Sequence, residues 1–405
     1  MKKLLILFMF CCVVFQSPVF AYNEMFDSQK KDSITFNTAY LEGQFTNKQL
    51  ANCNLELLRL SQRATENLRG SAGDLIPIFL LLYFNYGAQV ALHEIGHALR
   101  LKSFDIDYTL CIGNNEKGQN YFSYLPYQAF TGGLFGGATK WDKKQQDKLE
   151  KSLSNNSSFQ NYIVIVGAGG MNNEMYFAEK IADDIYERKQ YACFPSVYYL
   201  VSRISPTLYD QFADSEKDSN DPTCIIHAFE KKQRNDFKKG TISKAGIVSL
   251  FLSATTYSMF TKTKKPLTLC GFRLPDVFPY ITTKGMSYKV VSGYEINKDL
   301  KLIFGLEKVF GTEPAIEYNL GINRAVKLLI PMQYKGIVTF GHGLDFEATC
   351  TVPVLPRFSV GLGCEIYSCE SLQGQRHASK MLSKSGSELS NDYSSNVFAF
   401  VSCRY

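Results

Sequence analysis

Apolar positions divide the chain into two unlike parts. Up to about residue 265 they recur mostly at helical spacing; beyond it they alternate with a period of two. Leu50, Leu55, Leu57, Leu58 and Leu60 predict an amphipathic helix over 47–68, which Gly70-Ser-Ala-Gly73 breaks. Asp74 then opens a long apolar segment, Leu75 to Leu92, in which only Asn85 and Gln89 are clearly polar. Its length meets the roughly 18–20 residues that cross a bilayer. Yet Gln89, His93 and His97 follow one another at intervals of four, on one face, and such a polar stripe must look onto a site and not onto lipid. The segment reads as a buried or partly membrane-associated helix.

After Arg100 the pattern loosens. Phe104 to Ile112 alternates, Gly113 to Gly118 is rich in turn residues, and Tyr121 to Phe130 is aromatic; together these predict a hairpin, whose edge suits an extended peptide by strand addition. Gly132-Gly-Leu-Phe-Gly-Gly137 lacks the Lys-Ser/Thr of a phosphate loop and reads as a flexible loop. The polar stretch 140–160 reads as a solvated helix and linker. Residues 161–188 carry an apolar entry, Tyr162 to Val166. A glycine run, Gly167-Ala-Gly-Gly170, then lets another backbone come close. The apolar stretch Cys193 to Tyr209 gives way to an acidic loop. Asp221-Pro222 starts a helix that runs to about Phe237, and Ile247 to Phe260 forms the last helix of this part.

The basic run Thr261 to Pro266 marks a boundary, so the division is 1–21, 22–265 and 266–405. In the last part β-prone segments near Tyr280, Val290, Leu302, Tyr318, Leu329, Phe346, Val360 and Phe400 make about eight strands, the minimum for a closed membrane barrel. Val397, Ala399, Val401, Cys403 and Tyr405 face one way, Ser402 and Arg404 the other. Glu370 to Ser394, long and polar, reads as an extracellular loop. A soluble β-sandwich is the competing architecture. The expected fold class is α+β, a mainly helical domain followed by an antiparallel β-barrel.

Composition narrows the function. The 405 residues carry a net charge of +6, and no basic block with interleaved aromatics appears, which argues against a nucleic-acid partner. Met1 to Ala21 reads as a secretory signal, with Lys2 and Lys3 before the apolar run Leu4 to Phe15, and the stretch to Gln44 beyond it as polar and irregular. Nine cysteines follow the signal with no Cys-x-x-Cys pair, so they do not form a zinc knot, and their odd number leaves at least one outside any internal disulfide.

The candidate chemistry is His93-Glu94-Ile95-Gly96-His97. On a helix the two histidines sit one above the other and can point two imidazoles at one ion, with Glu94 in reach of a water on it. Glu174 is the one carboxylate on an otherwise small and apolar face with Gly167, Met171, Ala178, Ile181 and Ile185, which makes it the candidate third ligand. Glu179 lies on a polar face with Asn172 and Asp183. His227 is a candidate for stabilising an oxyanion.

The His-Glu-x-x-His stretch resembles the zincin metallopeptidases. The resemblance implies Zn2+ as cofactor, His93 and His97 as ligands and Glu94 as general base. Asn173-Glu174 resembles the Asn-Glu pair of glutamate-zincins and points to Glu174. Glu179-Lys-Ile-Ala-Asp183 matches the Glu-x-x-Ala-Asp pattern of HtpX-type and CAAX-prenyl-protease-type families and points to Glu179, so the third ligand stays open between them. Asn173 or Asp183 would then orient a histidine. The chain end resembles the terminal strand of bacterial outer-membrane barrels. Together these imply a cell-envelope zinc metalloendopeptidase acting on polypeptides, its catalytic domain periplasmic and its barrel in the outer membrane of a bacterium. Two rivals are a non-enzymatic outer-membrane barrel with a helical plug or binding domain, and a site-2-type intramembrane protease, whose Asp-Gly motif is absent.

Overall fold

The computed structural model describes residues 33–40, 47–67, 75–113, 115–117, 124, 126–128, 130–131, 136–153, 156–189, 191–211, 220–234, 236–260, 266–327, 331–355, 358–382 and 392–404. The signal-like segment 1–21 and most of the glycine-rich stretch from 132 lie outside the described residues.

The helical part holds α1 (Asn47–Asn67), α2 (Leu75–Ser103), α3 (Lys143–Ser152), α4 (Asn156–Gly167), α5 (Gly169–Arg188), α6 (Cys193–Gln211), α7 (Asp221–Lys231), α8 (Thr241–Phe251) and α9 (Ala254–Met259). Its core joins Leu92, Ile95, Met175, Ile181, Phe194 and Tyr198 from α2, α5 and α6. Helix α2 has the length and apolarity of a membrane span, but half of its most apolar window is buried inside the protein. Ile76, Phe79 and Leu80 at its start are exposed, whereas Gln89, His93 and His97 are buried. The single stretch expected from 161 to 188 is two helices that meet at Ala168.

A small sheet follows α2, in the order β3 (Asn115–Glu116), β2 (Tyr108–Ile112) and β4 (Gly137–Trp141). The partner expected for β2 within Tyr121–Phe130 is not a strand: Tyr124 and residues 126–128 and 130–131 are helical. Tyr124 and Gln128, four apart and both fully buried, have the spacing of one helix face, and the Tyr124 hydroxyl donates to the Cys111 carbonyl at 3.1 Å. Two helices also replace the single one expected over Ile247–Phe260, and α7 ends at Lys231, short of Phe237.

The C-terminal part is a meander: β5 (Thr268–Leu269), β6 (Phe272–Thr282), β7 (Gly285–Asn297), β8 (Leu300–Val309), β9 (Ala315–Lys327), β10 (Pro331–Gly341), β11 (Leu344–Leu355), β12 (Phe358–Ser368) and β13 (Tyr393–Arg404). A strand from the stretch expected to be irregular, β1 (Ser33–Tyr40), pairs antiparallel with β13, Phe36 opposite Val401. The protein is therefore α+β, with an antiparallel sheet of ten strands running β1-β13-β12-β11-β10-β9-β8-β7-β6-β5. Among the described residues no pairing joins β1 to β5 or β6, so the sheet does not close into the expected barrel. Helix α1 packs beside β1, and α4, α5, α8 and α9 pack against β6, so helices stand at both edges.

The two faces of this sheet differ sharply. Ile316, Tyr318, Leu320, Val338, Val360 and Leu362 stand exposed on one face. The opposite face is polar and largely buried. Residues 371–378, expected to be an extracellular loop, are buried there around α10 (Gly374–His377). Arg376 makes a two-pronged bridge to Glu307, 2.6 Å on each prong; Glu317 accepts from the Leu372 amide at 2.6 Å; Asp345 accepts from the Ser368 amide at 2.8 Å. The segment's polarity matches a polar interior, not water. On β13 Phe398 and Phe400 turn inward, their rings lying over Gly363 and Gly361 of β12.

Candidate metal centre

Helices α2 and α5 cross at two glycines. A Cβ on Gly96 would lie 2.4 Å from the Gly169 carbonyl oxygen, and one on Gly169 2.6 Å from that of Gly96. The glycine run after Val166 thus does bring another backbone close, that of the His-Glu-x-x-His helix. Gly170 keeps a further opening, since a Cβ there would lie 2.5 Å from Nε2 of both His93 and His97.

In that opening three donor atoms converge. The two Nε2 atoms are 3.2 Å apart, and Asp221 Oδ2 is 3.2 Å from each of them. Donors around a tetrahedral zinc at about 2.0–2.1 Å lie roughly 3.3 Å from one another, so the spacing fits such an ion. The far nitrogens are oriented as metal ligands require. His97 Nδ1 donates to the Val166 carbonyl at 2.8 Å, which leaves Nε2 with its lone pair. His93 Nδ1 faces Glu174 Oε1 at 3.1 Å, and Ser205 donates to the same oxygen at 3.2 Å. The residues present therefore fit a zinc ion held by His93, His97 and Asp221.

Without a cation the three groups share protons instead. Burial lowers the His93 pKa, but Glu174 and Asp221 outweigh it and bring the value to about 10. His97 is raised in the same way, burial opposing and Asp221 prevailing. Asp221 is held far below the usual carboxylate range: burial works upward, and the two imidazoles override it.

Glu94 lies beside the pair, buried under β4. The Thr139 hydroxyl donates to its backbone oxygen at 2.8 Å and to Oε2 at 3.0 Å. Gly137 leaves room for it, since a Cβ there would sit 2.5 Å from Glu94 Cγ. Tyr209 of α6 stacks on His93, ring centroids 5.3 Å apart. Burial, with Asp221 and Glu94 close by, pushes its phenol well above the ordinary value, so it stays a donor.

Glu174 sits behind His93 and not among the three converging atoms. Glu179 lies away from the cluster, accepting from Lys289 at 2.7 Å and from Tyr280 at 2.6 Å. It is buried, not solvated as its polar face suggested, and ion-paired. Asn173 donates to the Leu92 carbonyl at 3.0 Å, and Asp183 pairs with Arg273 at 2.6 Å; neither reaches a histidine ring. His227 is exposed on α7 and is not among the three.

Asp221 and Tyr209 were missed in the sequence. Asp221 looked like a helix cap. The cap is Asn220, whose side chain accepts from the Thr223 amide at 3.0 Å, leaving the Asp221 carboxylate for the imidazoles. Tyr209 is one aromatic among many and offered no signal.

Comparison with protein-family models, curated proteins and solved structures finds no match to the chain.

Proposed function

We propose that the protein is a zinc-dependent metallopeptidase of the cell envelope, with His93, His97 and Asp221 holding the ion and Glu94 as general base. The observation that carries this reading is the meeting of two bare Nε2 atoms and one carboxylate oxygen at 3.2 Å spacing beside Glu94. When bound, zinc supplies a Lewis acid that brings the pKa of water near neutrality. Glu94 takes the proton from water as the hydroxyl adds to the peptide carbonyl carbon, and returns it to the leaving amine. Tyr209, whose ring stacks on His93, would donate to the developing oxyanion. Asp221 is the least buried of the three ligands, so a polypeptide approaches from its side.

The sheet, polar on one face and apolar on the other, supports a membrane setting in which these strands meet lipid. Helices at both sheet edges suit that setting, because open edges are costly in hydrocarbon. An outer-membrane location with a periplasmic site is the reading that joins this face to the signal-like N-terminus.

The test is metal content and cleavage of casein by the full chain and by Glu94→Gln. One zinc per chain in both, with cleavage lost only in the variant, is the expected result. Wild-type protein free of zinc after growth with the metal sinks the reading.

A further inference from the structure

Between α5 and the polar face of β7–β10 lies an open-mouthed cavity of about 80 Å3. It shares no lining residue with the metal centre. Six cationic side chains line it, Lys48, Lys180, Arg273, Lys289, Lys301 and Lys335, against four carboxylates, Glu179, Asp183, Glu187 and Glu347. Three of the cations are matched: Lys48 with Glu347, Lys289 with Glu179 at 2.7 Å, and Arg273 with Asp183 at 2.6 Å.

The other three are not matched in this way. Lys180 lies 4.0 Å from one oxygen of Asp183, whose other oxygen Arg273 holds, and 5.1 Å from the centre of the Tyr176 ring. Lys301 lies over the Tyr186 ring at 5.8 Å. Lys335 has no hydrogen bond or ion pair among the described residues, and the charge acting most strongly on it is that of another cation, Lys180. Register makes the grouping systematic. Lys335 pairs with Asn323 and Asn323 pairs with Lys301, so the three form one cross-strand row over β10, β9 and β8, with Lys180 of α5 lining the same cavity. With six cationic side chains against four carboxylates the lining keeps an excess of positive charge, which favours an anion in this half-enclosed space. Tyr176, Ile303 and Ile337 supply apolar wall between the ammonium groups.

We propose that this cavity binds a phosphate-bearing organic anion, gripped by Lys180, Lys301 and Lys335 with Asn323 as a hydrogen-bonding partner. Lysine ammonium groups on several elements suit several phosphate oxygens at once. The ligand is either a soluble phosphate ester or a lipid headgroup reaching over the sheet.

The experiment uses the purified full chain in detergent micelles. Calorimetric titration with pyrophosphate probes the soluble source; flotation with phosphatidylcholine vesicles, with and without phosphatidic acid, probes the lipid source. We expect saturable, salt-sensitive binding in at least one arm. It should weaken at least about tenfold in Lys180→Gln/Lys335→Gln and stay unchanged in Lys308→Gln, on the other face of β8. As a check on folding, the double variant should still unfold in one cooperative transition, and it should lose the rise in Tm that ligand gives the wild type. Failure of the wild type in both arms, or equal binding by the double variant, overturns the proposal. Zinc content and cleavage play no part in these readouts.

Discussion

Glu174 Oε1 stands 3.1 Å from Nδ1 of His93, on the side of the ring away from Asp221. A carboxylate there fixes the ring and would strengthen the lone pair on Nε2 without itself being a ligand of the proposed zinc. Glu174→Gln should therefore weaken zinc binding only about 10–100-fold. Asp221→Asn should leave the protein without stoichiometric zinc after dialysis. Metal analysis of both variants decides the matter; zinc lost from Glu174→Gln and kept by Asp221→Asn would make Glu174 the ligand.

Acid should strip the ion. Metal-free His93, with its pKa near 10, and His97, also raised, hold protons that zinc must displace, so apparent affinity should climb as pH rises from about 6 to 9. The same shift bears on stability. A histidine raised from 6.5 to about 10 contributes fully below pH 6.5 and loses that contribution as pH climbs through 10. Metal-free protein should thus melt lower at pH 9.5 than at pH 7, while zinc-loaded protein should change much less. Melting curves of both forms check this.

Tyr209→Phe removes one hydroxyl and keeps the stacked ring. If that hydroxyl steadies the oxyanion, kcat should fall on the order of 10²–10³-fold with zinc content and KM little changed. A loss confined to KM would assign the tyrosine to substrate binding instead.

Gly96→Ala places a methyl group 2.4 Å from the Gly169 oxygen, where only helix separation makes room. It should cost about 1–3 kcal/mol and lower zinc affinity through the moved histidines. Gly136→Ala is a contrasting case: its Cβ meets nothing within 4 Å, so any cost comes from its φ of +72°. Denaturant melts of the two variants separate crowding from backbone strain.

Leu320→Arg tests the apolar face. At a bilayer midplane a lipid-facing arginine costs about 2–4 kcal/mol. Folding yield into lipid vesicles should drop for this variant and hold for Leu320→Phe, which keeps the position apolar.

The helical half, the pairing of His93 with His97 on one helix face and the change of period near residue 265 were legible because each rests on local spacing. The two-residue alternation of the strands was legible as well, and its two faces are seen in the exposed Leu320 and the buried Asn319. What escaped depends on distant partners. Ser33–Tyr40 becomes a strand only because β13 offers it an edge. Residues 371–378 look solvated until Glu307, Glu317 and Asp345 are seen to need them. Glu174 was singled out as a carboxylate on an apolar face, and it is buried there, but its face meets His93 from behind. Asp221 reaches the imidazoles across 124 residues from His97 (221 minus 97), a distance that no periodicity reveals.

Helix α5 is a party wall. Five residues, about 7.5 Å of axis, separate Glu174, which steadies a histidine in one chamber, from Glu179, which neutralises Lys289 in the other. The glycine crossing sets this helix directly against α2, so a rotation of it would carry both carboxylates at once. A substitution that turns α5 to suit one chamber would be felt in the other.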